Sequence, residues 1–264
     1  MRIAGMLVAL ALAASLAAPF TVMASEEHLK LDRMPADVNP NDPVSLQRGA
    51  QVYVNYCMGC HSAGYMRYNR LKDIGLTDKQ ILDNLVFTGA KVGDLMIAGM
   101  APKDAKEWFG APPPDLSVIA RSRSSSAGSG ADWLYSYLRS FYRDPSRPTG
   151  WNNTVFPNVG MPHILYQLQG EQVLKTEELL QPRGSGKKED ALKVEVRRLV
   201  LEKPGTMTPA EYDHMVADLV NFLNYVSEPV KHYRQQLGIY VLMFLGVLFV
   251  FAYALKKEFW KDVH

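Results

Sequence analysis

Cys57-Met58-Gly59-Cys60-His61 contains the only two cysteines of this chain, and it constrains the fold more than any other stretch. A Cys-x-x-Cys-His run is an attachment site for a c-type haem. The two thiols add across the haem vinyl groups, and the imidazole one residue later reaches the iron from the proximal face. With both sulfurs used in this way, none remains for a structural disulfide or a four-cysteine zinc site. Two other readings of the pair fail on their surroundings. A thioredoxin-like redox pair sits where a strand feeds a helix, and nothing strand-like precedes Cys57. A zinc site needs a second pair of ligands at metal spacing, and His28, His163, His214, His232 and His264 are too scattered to supply one.

The two ends of the chain indicate where such a domain works. Met1-Arg2 is a short positive start followed by an apolar run from Ile3 to Ala18, and Val22-Met23-Ala24 matches the small-x-small cleavage pattern. Residues 1–24 therefore read as a secretory signal peptide, with Ser25 as the mature terminus. Export agrees with covalent haem, which bacteria attach outside the cytoplasm. At the other end, Leu237 to Leu255 carries no charge. Nineteen residues at about 1.5 Å of rise give roughly 28 Å of helix, enough to cross a hydrocarbon core. Lys256, Lys257 and Lys261 follow it, against Lys231 and Arg234 before it, which puts the tail in the cytoplasm. Tyr240, Tyr253 and Trp260 lie toward the ends of the span, where amphipathic rings prefer the interface. The expected organisation is an exported domain over 25–230, an anchor helix over 231–257 and a cytoplasmic tail over 258–264.

The exported part is long enough for one domain with a sizeable core. Setting aside Arg2, Lys256, Lys257 and Lys261, then Glu258 and Asp262, leaves twenty-five basic and twenty-five acidic residues in 25–236. A neutral domain has no whole-molecule steering field, and nothing in it suggests nucleic acid.

Local signals fill in the elements. Residues 26–42 are polar and proline-punctuated, an extended lead-in. Asp42 caps a helix that opens with Pro43 and runs to about Tyr56, delivering Cys57 at its end. Thr77-x-x-Gln80 is a capping box for a short helix with Ile81, Leu82, Leu85 and Val86 on one side. From Gly89 to Ser117 glycine and proline dominate, ending in Pro112-Pro113-Pro114-Asp115, which cannot be helix interior. Arg121 to Gly130 reads as a surface loop, after which Asp132 caps an aromatic helix carrying Trp133, Tyr135, Tyr137, Phe141 and Tyr142 and stopped by Pro145. Alternating Leu192, Val194 and Val196 mark one arm of a small β-hairpin. Thr208-Pro209-Ala210-Glu211 starts the strongest helix, whose apolar residues run from Tyr212 to Leu223, and Pro229 separates it from the anchor. The fold class is therefore mainly α: a c-type cytochrome fold around one covalent haem, with long loops and a small β-hairpin, plus one C-terminal transmembrane helix. Its first helix should cross the Thr208 helix.

The sixth iron ligand decides what the haem does. Met58 and Met66 lie too close in sequence to His61, Met207 and Met215 belong to the last helix of the domain, and Met243 is in the membrane. Two loop methionines remain, Met100 in Gly99-Met100-Ala101-Pro102 and Met161 in Gly160-Met161-Pro162, and local chemistry does not separate them.

Cys57 to Arg70 reads CMGCHSAGYMRYNR, Pro112 to Ser117 reads PPPDLS, and Gly160-Met161-Pro162 follows. Asp218-Leu219-Val220-Asn221-Phe222-Leu223, Ser227-Glu228-Pro229 and a single anchor close the chain. In this order the segments resemble the cytochrome c1 family, the membrane-anchored haem subunits of quinol–cytochrome c reductase (cytochrome bc1) complexes. The resemblance runs from about residue 40 to the end, and segment 170–205 matches least well. It implies Met161 as axial ligand with His61, Pro113 and Pro114 flanking the haem, and Arg123 on a propionate with Arg121 as near competitor. It also implies an aromatic beside the haem at Trp133, where a tyrosine is commoner. The implied role is electron relay: a mobile Rieske iron–sulfur protein reduces the haem, which passes one electron to a soluble or membrane-bound cytochrome c. The subunit would share a dimeric complex with cytochrome b in the bacterial inner membrane, with its haem domain in the periplasm. Two axial ligands leave the iron no open position, and the thioether raises the potential. No bond is made, so the subunit is an electron carrier and not itself the enzyme. A tethered cytochrome c serving an oxidase, a haem peroxidase and a structural metal module are the competing classes.

Overall fold

The computed structural model describes residues 31–181 and 192–262; the signal peptide expected over 1–24 lies outside them. The first described helix, α1 (Pro43–Val52), starts where Asp42 accepts hydrogen bonds from the amides of Val44 and Ser45, with proline in the first turn. It runs on into a π-helical turn, Tyr53–Cys57, so the helix delivers Cys57 at its last residue. Helix α2 (Asp78–Leu85) carries the Thr77/Gln80 capping box. Ile81 and Leu85 of α2 are buried, but Leu82 faces solvent, so the apolar side is narrower than the sequence suggests.

The glycine- and proline-rich stretch after Gly89 is less irregular than its composition. It holds a two-residue strand, β2 (Leu95–Met96), paired antiparallel with β1 (Ala63–Arg67), and a helix, α3 (Pro102–Phe109). Pro102 sits in the first turn of α3, and Gly110 ends it at φ 81° in the left-handed region that glycine adopts without strain. A short helix, α4 (Ile119–Ser122), interrupts the expected loop at Arg121. The aromatic helix α5 (Gly130–Arg139) begins earlier than expected: Ser129 is its cap, and Asp132 is the reciprocal third residue of a capping box. It also ends earlier. Phe141 and Tyr142 belong to β3 (Phe141–Arg143), which pairs antiparallel with β4 (Trp151–Asn153). Pro145 follows the strand rather than the helix.

After the short helix α6 (Tyr166–Gln169) comes the expected two-stranded hairpin, of which the sequence marks one arm. Strands β5 (Gly170–Gln181) and β6 (Leu192–Pro204) pair antiparallel along their whole length. Its base is tied to β3, where Arg143 contacts Glu171 at 2.8 Å and Lys203 contacts the other oxygen of the same carboxylate at 3.0 Å.

Helix α7 (Pro209–Ser227) is the centre of the domain, buried from Val216 to Leu223 without interruption. As expected, α1 crosses it. A Cβ on Gly49 would stand 2.1 Å from the Asp218 carbonyl oxygen and 2.6 Å from the Phe222 Cβ, so only glycine allows this approach. The crossing is stitched by a forked Arg48–Asp218 pair at 2.5 and 3.0 Å and by Asn221 donating to Ser45 Oγ at 3.0 Å. Arg139 ties α5 to Asp213 of α7 in the same forked way, at 2.5 and 3.0 Å. Past Pro229, α8 (Lys231–Trp260) is one helix, and its stretch Tyr233–Trp260 is long and apolar enough to span a membrane, with a mean hydropathy of 2.4 over its most apolar 18-residue window. None of the side chains in that window is buried against the protein, which is how a membrane anchor differs from a core helix.

Candidate functional site

One cavity of about 390 Å³ collects most of the residues singled out in the sequence. Cys57, Cys60, His61, Pro113, Pro114, Arg123, Trp133 and Met161 all line it. Met100 and Arg121 do not. The Met100 amide instead donates to the Gly59 carbonyl at 3.2 Å, and Arg121 lines a separate notch. Met58 and Met66 are core side chains, 4% and 3% exposed.

The haem-motif side follows from the end of α1. The amides of Cys60 and His61 both donate to the Cys57 carbonyl, at 3.1 and 2.8 Å, which curls the motif into one more turn. Tyr53, fully buried one turn earlier, donates its hydroxyl to the His61 carbonyl at 2.8 Å. The His61 side chain is oriented from across the cavity wall: Nδ1 lies 2.7 Å from the Pro114 carbonyl oxygen. Only a protonated Nδ1 can donate to a carbonyl, so Nε2 keeps its lone pair for a metal. Burial lowers the His61 pKa, against the opposing pull of that carbonyl and of Asp115, and so favours the neutral ring. Burial, reinforced by Cys60, pushes the Cys57 thiol up to about 12.

The Pro112–Ser117 stretch earns its place through its polar residues. Asp115 Oδ2 accepts from the Gly64 amide at 2.7 Å, Ser117 Oγ from the Tyr65 amide at 3.0 Å, and the Leu116 amide donates to the Ser62 carbonyl at 2.8 Å. These bonds lash the loop across β1 and so set the Pro114 carbonyl over His61. Sequence reasoning named the prolines and passed over Asp115 and Ser117. Their signal was present: an aspartate two residues before a serine after a proline run is a loop-fixing pattern.

The methionine side is held by α5 and the β4 loop. Arg123 lies over the Trp133 ring at 4.5 Å, and Trp133 stacks on Tyr137 at 4.9 Å with 13° between planes. Tyr137 directs its hydroxyl to Met161 Sδ at 3.3 Å. Burial raises the Tyr137 pKa above its ordinary value, which favours the protonated hydroxyl that donates here. The loop carrying Met161 is anchored by two buried asparagines. Asn153 Nδ2 donates to the Tyr137 carbonyl at 2.8 Å while its Oδ1 accepts from Val155 and Phe156, and Asn152 Oδ1 accepts from the Asn158 amide at 2.8 Å. Asn158 adopts φ 62°, a left-handed turn that asparagine tolerates, and hands the chain on to Gly160-Met161. Tyr137, Asn152 and Asn153 were missed as site residues. For Tyr137 the spacing of four from Trp133 on one helix face was a usable signal.

The remaining lining is apolar, with Tyr56, Leu116, Ile119, Leu134, Phe156, Val159, Leu219 and Leu223 among it. An apolar slot with two thiols, an imidazole whose free nitrogen is Nε2, a thioether and an arginine fits a haem. Among the described residues no three His, Cys, Asp or Glu side chains converge on a metal-ion site.

Comparison with known proteins shows the family. The model of the cytochrome C1 family matches residues 37–177 and 200–263; of the described residues between them, 178–181 end β5 and 192–199 begin β6. A protein of Allochromatium vinosum named cytochrome c1 is 47% identical over 252 residues, covering 94% of this chain and 96% of its own. A Nitrosomonas europaea protein named ammonia monooxygenase gamma subunit is 50% identical over 253 residues, with 96% and 97% covered. The mitochondrial cytochrome c1 haem protein of Schizosaccharomyces pombe is 27% identical over 245 residues, 84% of this chain and 68% of its own.

Proposed function

The chain belongs to the cytochrome c1 family, and from that premise we propose that it relays single electrons from a Rieske iron–sulfur protein to a cytochrome c. It is a haem-bearing electron-carrier subunit of a quinol–cytochrome c reductase and makes no bond itself. Cys57 and Cys60 would hold one haem covalently, with His61 and Met161 as the donors to its iron, and the domain lies in the periplasm once the signal peptide is removed. The single observation that carries this reading is the shared cavity, where the Cys-x-x-Cys-His turn and Met161 face the same apolar space while Met100 lies outside it.

When bound, the haem supplies a one-electron Fe(III)/Fe(II) couple. The chain supplies everything that makes the couple useful. Pro114 holds the imidazole so that Nε2 is the donor, and Tyr137 fixes the thioether. The apolar lining excludes water and disfavours the extra charge of the oxidised state, which raises the potential together with the thioether. Arg123, braced on Trp133, is the cation placed to balance a propionate. Pro113 lies beside Pro114 in the wall. The Rieske protein and cytochrome b share its membrane complex, which is dimeric.

Purification of the full chain from its native membrane tests this reading. Cytochrome b and a Rieske protein should co-elute with it, and quinol should reduce its haem on a single-turnover timescale only when the Rieske protein is present. Co-elution with ammonia monooxygenase subunits instead, as the name of the Nitrosomonas relative would suggest, would overturn the assignment of partners.

A further inference from the structure

A second notch, of about 330 Å³, opens where the haem domain meets the anchor, and nothing in the electron-transfer role uses it. Its walls come from α4, the start of α5, the end of α7 and Lys231, the first residue of α8. Unlike the haem cavity, it is lined by polar groups: Arg121, Ser124, Ser129, Asn224, Glu228 and Lys231. We propose that this notch binds the phosphate headgroup of an anionic phospholipid.

Three observations converge on that ligand. The first is charge. Arg121 and Lys231 are both exposed, and among the described residues neither has a carboxylate partner, whereas Arg48, Arg139 and Arg143 are each paired. The one carboxylate in the lining, Glu228, is already engaged by Arg234. The notch therefore presents two uncompensated cations beside the Asn224 side chain, a donor set suited to a phosphate monoanion.

The second is height. The stretch able to span a membrane begins at Tyr233, two residues past Lys231. Val230 and Tyr233 are 52% and 68% exposed on either side of it, an apolar and an amphipathic side chain placed to meet the headgroup region. A cationic notch at that level sits where lipid phosphates are most concentrated, and where each basic group gains from anionic lipid.

The third is rigidity. A Cβ on Gly130 would fall 1.8 Å from the Ala120 carbonyl oxygen, so α4 and α5 meet without a gap. Ser124 Oγ accepts from the Gly130 amide at 3.1 Å, and Ala120 donates to Ser227 Oγ of α7 at 3.1 Å. The walls that hold Arg121 are thus fixed before any ligand arrives, which reduces the entropy lost on binding.

The inference rests on α8 lying in the membrane, and the test separates the two claims. Full-length protein, purified in neutral detergent and stripped of lipid, is titrated with dioctanoyl-phosphatidylglycerol, dioctanoyl-phosphatidylcholine or sodium phosphate, reading binding by calorimetry. Phosphatidylglycerol should bind at one site per chain, more weakly as salt rises. The Arg121→Gln/Lys231→Gln protein should bind it about 25-fold more weakly, about fivefold for each cation removed, with an unchanged haem spectrum and midpoint potential. Equal binding by the double variant, equal binding of phosphatidylcholine, or full occupation by inorganic phosphate would each overturn the lipid assignment. So would loss of cytochrome b from the purified double variant without any change in lipid binding, which would mark a protein contact. A chain that stays soluble without detergent would instead sink the anchor reading itself.

Discussion

Two sulfur-bearing side chains, Met100 and Met161, satisfied the same local criteria, and their surroundings separate them. Met161 lines the cavity with His61, held by the Tyr137 hydroxyl, while Met100 lies in a loop outside it. Met161→Leu should keep the volume and remove the ligand. The midpoint potential should fall by more than about 59 mV, a tenfold change for a one-electron couple, and carbon monoxide should bind the reduced iron. Met100→Leu should leave both measurements unchanged. The reverse pattern in redox titration and carbon monoxide difference spectra would move the ligand to Met100. Tyr137 gives a subtler expectation. Its O–H draws electron density from the sulfur and so favours Fe(II). Tyr137→Phe keeps the ring and its stack on Trp133, so the fold and carbon monoxide exclusion should survive while the potential drops by less than about 59 mV. An unchanged potential would show that the hydroxyl only packs.

At the scale of elements, the α1–α7 crossing is what aims the haem motif, because α1 ends at Cys57. Gly49→Ala would push a methyl group into the Asp218 carbonyl, backbone that cannot step aside. Overpacking of this kind costs about 3 kcal/mol, and thermal unfolding followed by circular dichroism should show a correspondingly lower midpoint. A wild-type midpoint would mean the helices can slide apart. The hairpin base makes a pH prediction. Arg143 first, then Lys203, hold the Glu171 carboxyl down to about 2, below its ordinary 4.5. A depressed acid stabilises the fold above its unfolded pKa, and that contribution is lost as pH falls from about 4.5 through 2. Glu171→Gln should therefore open the β5–β6 base more readily at pH 6, read by hydrogen exchange, and the gap to wild type should close toward pH 2. A constant gap across that range would exclude the carboxylate charge as the cause. The sequence showed the two helices and their crossing, whereas of the hairpin it showed one arm and not the tie to β3.

For the whole molecule, the break at Pro229 divides a packed domain from an exposed apolar helix. A chain ended after Val230 should be recovered in the soluble fraction with its haem still covalently bound, as seen by haem staining after denaturing electrophoresis. Retention in salt-washed membranes would point to an uncleaved N-terminal segment or a partner that holds it. The sequence by itself determined the parts that depend on neighbours along the chain. The Cys-x-x-Cys-His turn, the capping boxes at Thr77 and Thr208, the proline-opened helices and the uncharged span of Leu237–Leu255 are all set by residues within a few positions of one another. It misjudged α5, where Asp132 was read as the cap instead of Ser129, because both residues of a reciprocal box have the same chemistry. It also passed over α3, whose Pro102 and Gly110 were counted as loop formers when they are the two ends of a helix. Only the tertiary structure decided which methionine shares the cavity, which carbonyl orients His61, and which arginine, Arg123 or Arg121, faces the apolar slot. Those choices depend on groups far apart in sequence, such as Pro114 over His61 and Tyr137 on Met161, and their meeting depends on how closely α1, α5 and α7 approach one another.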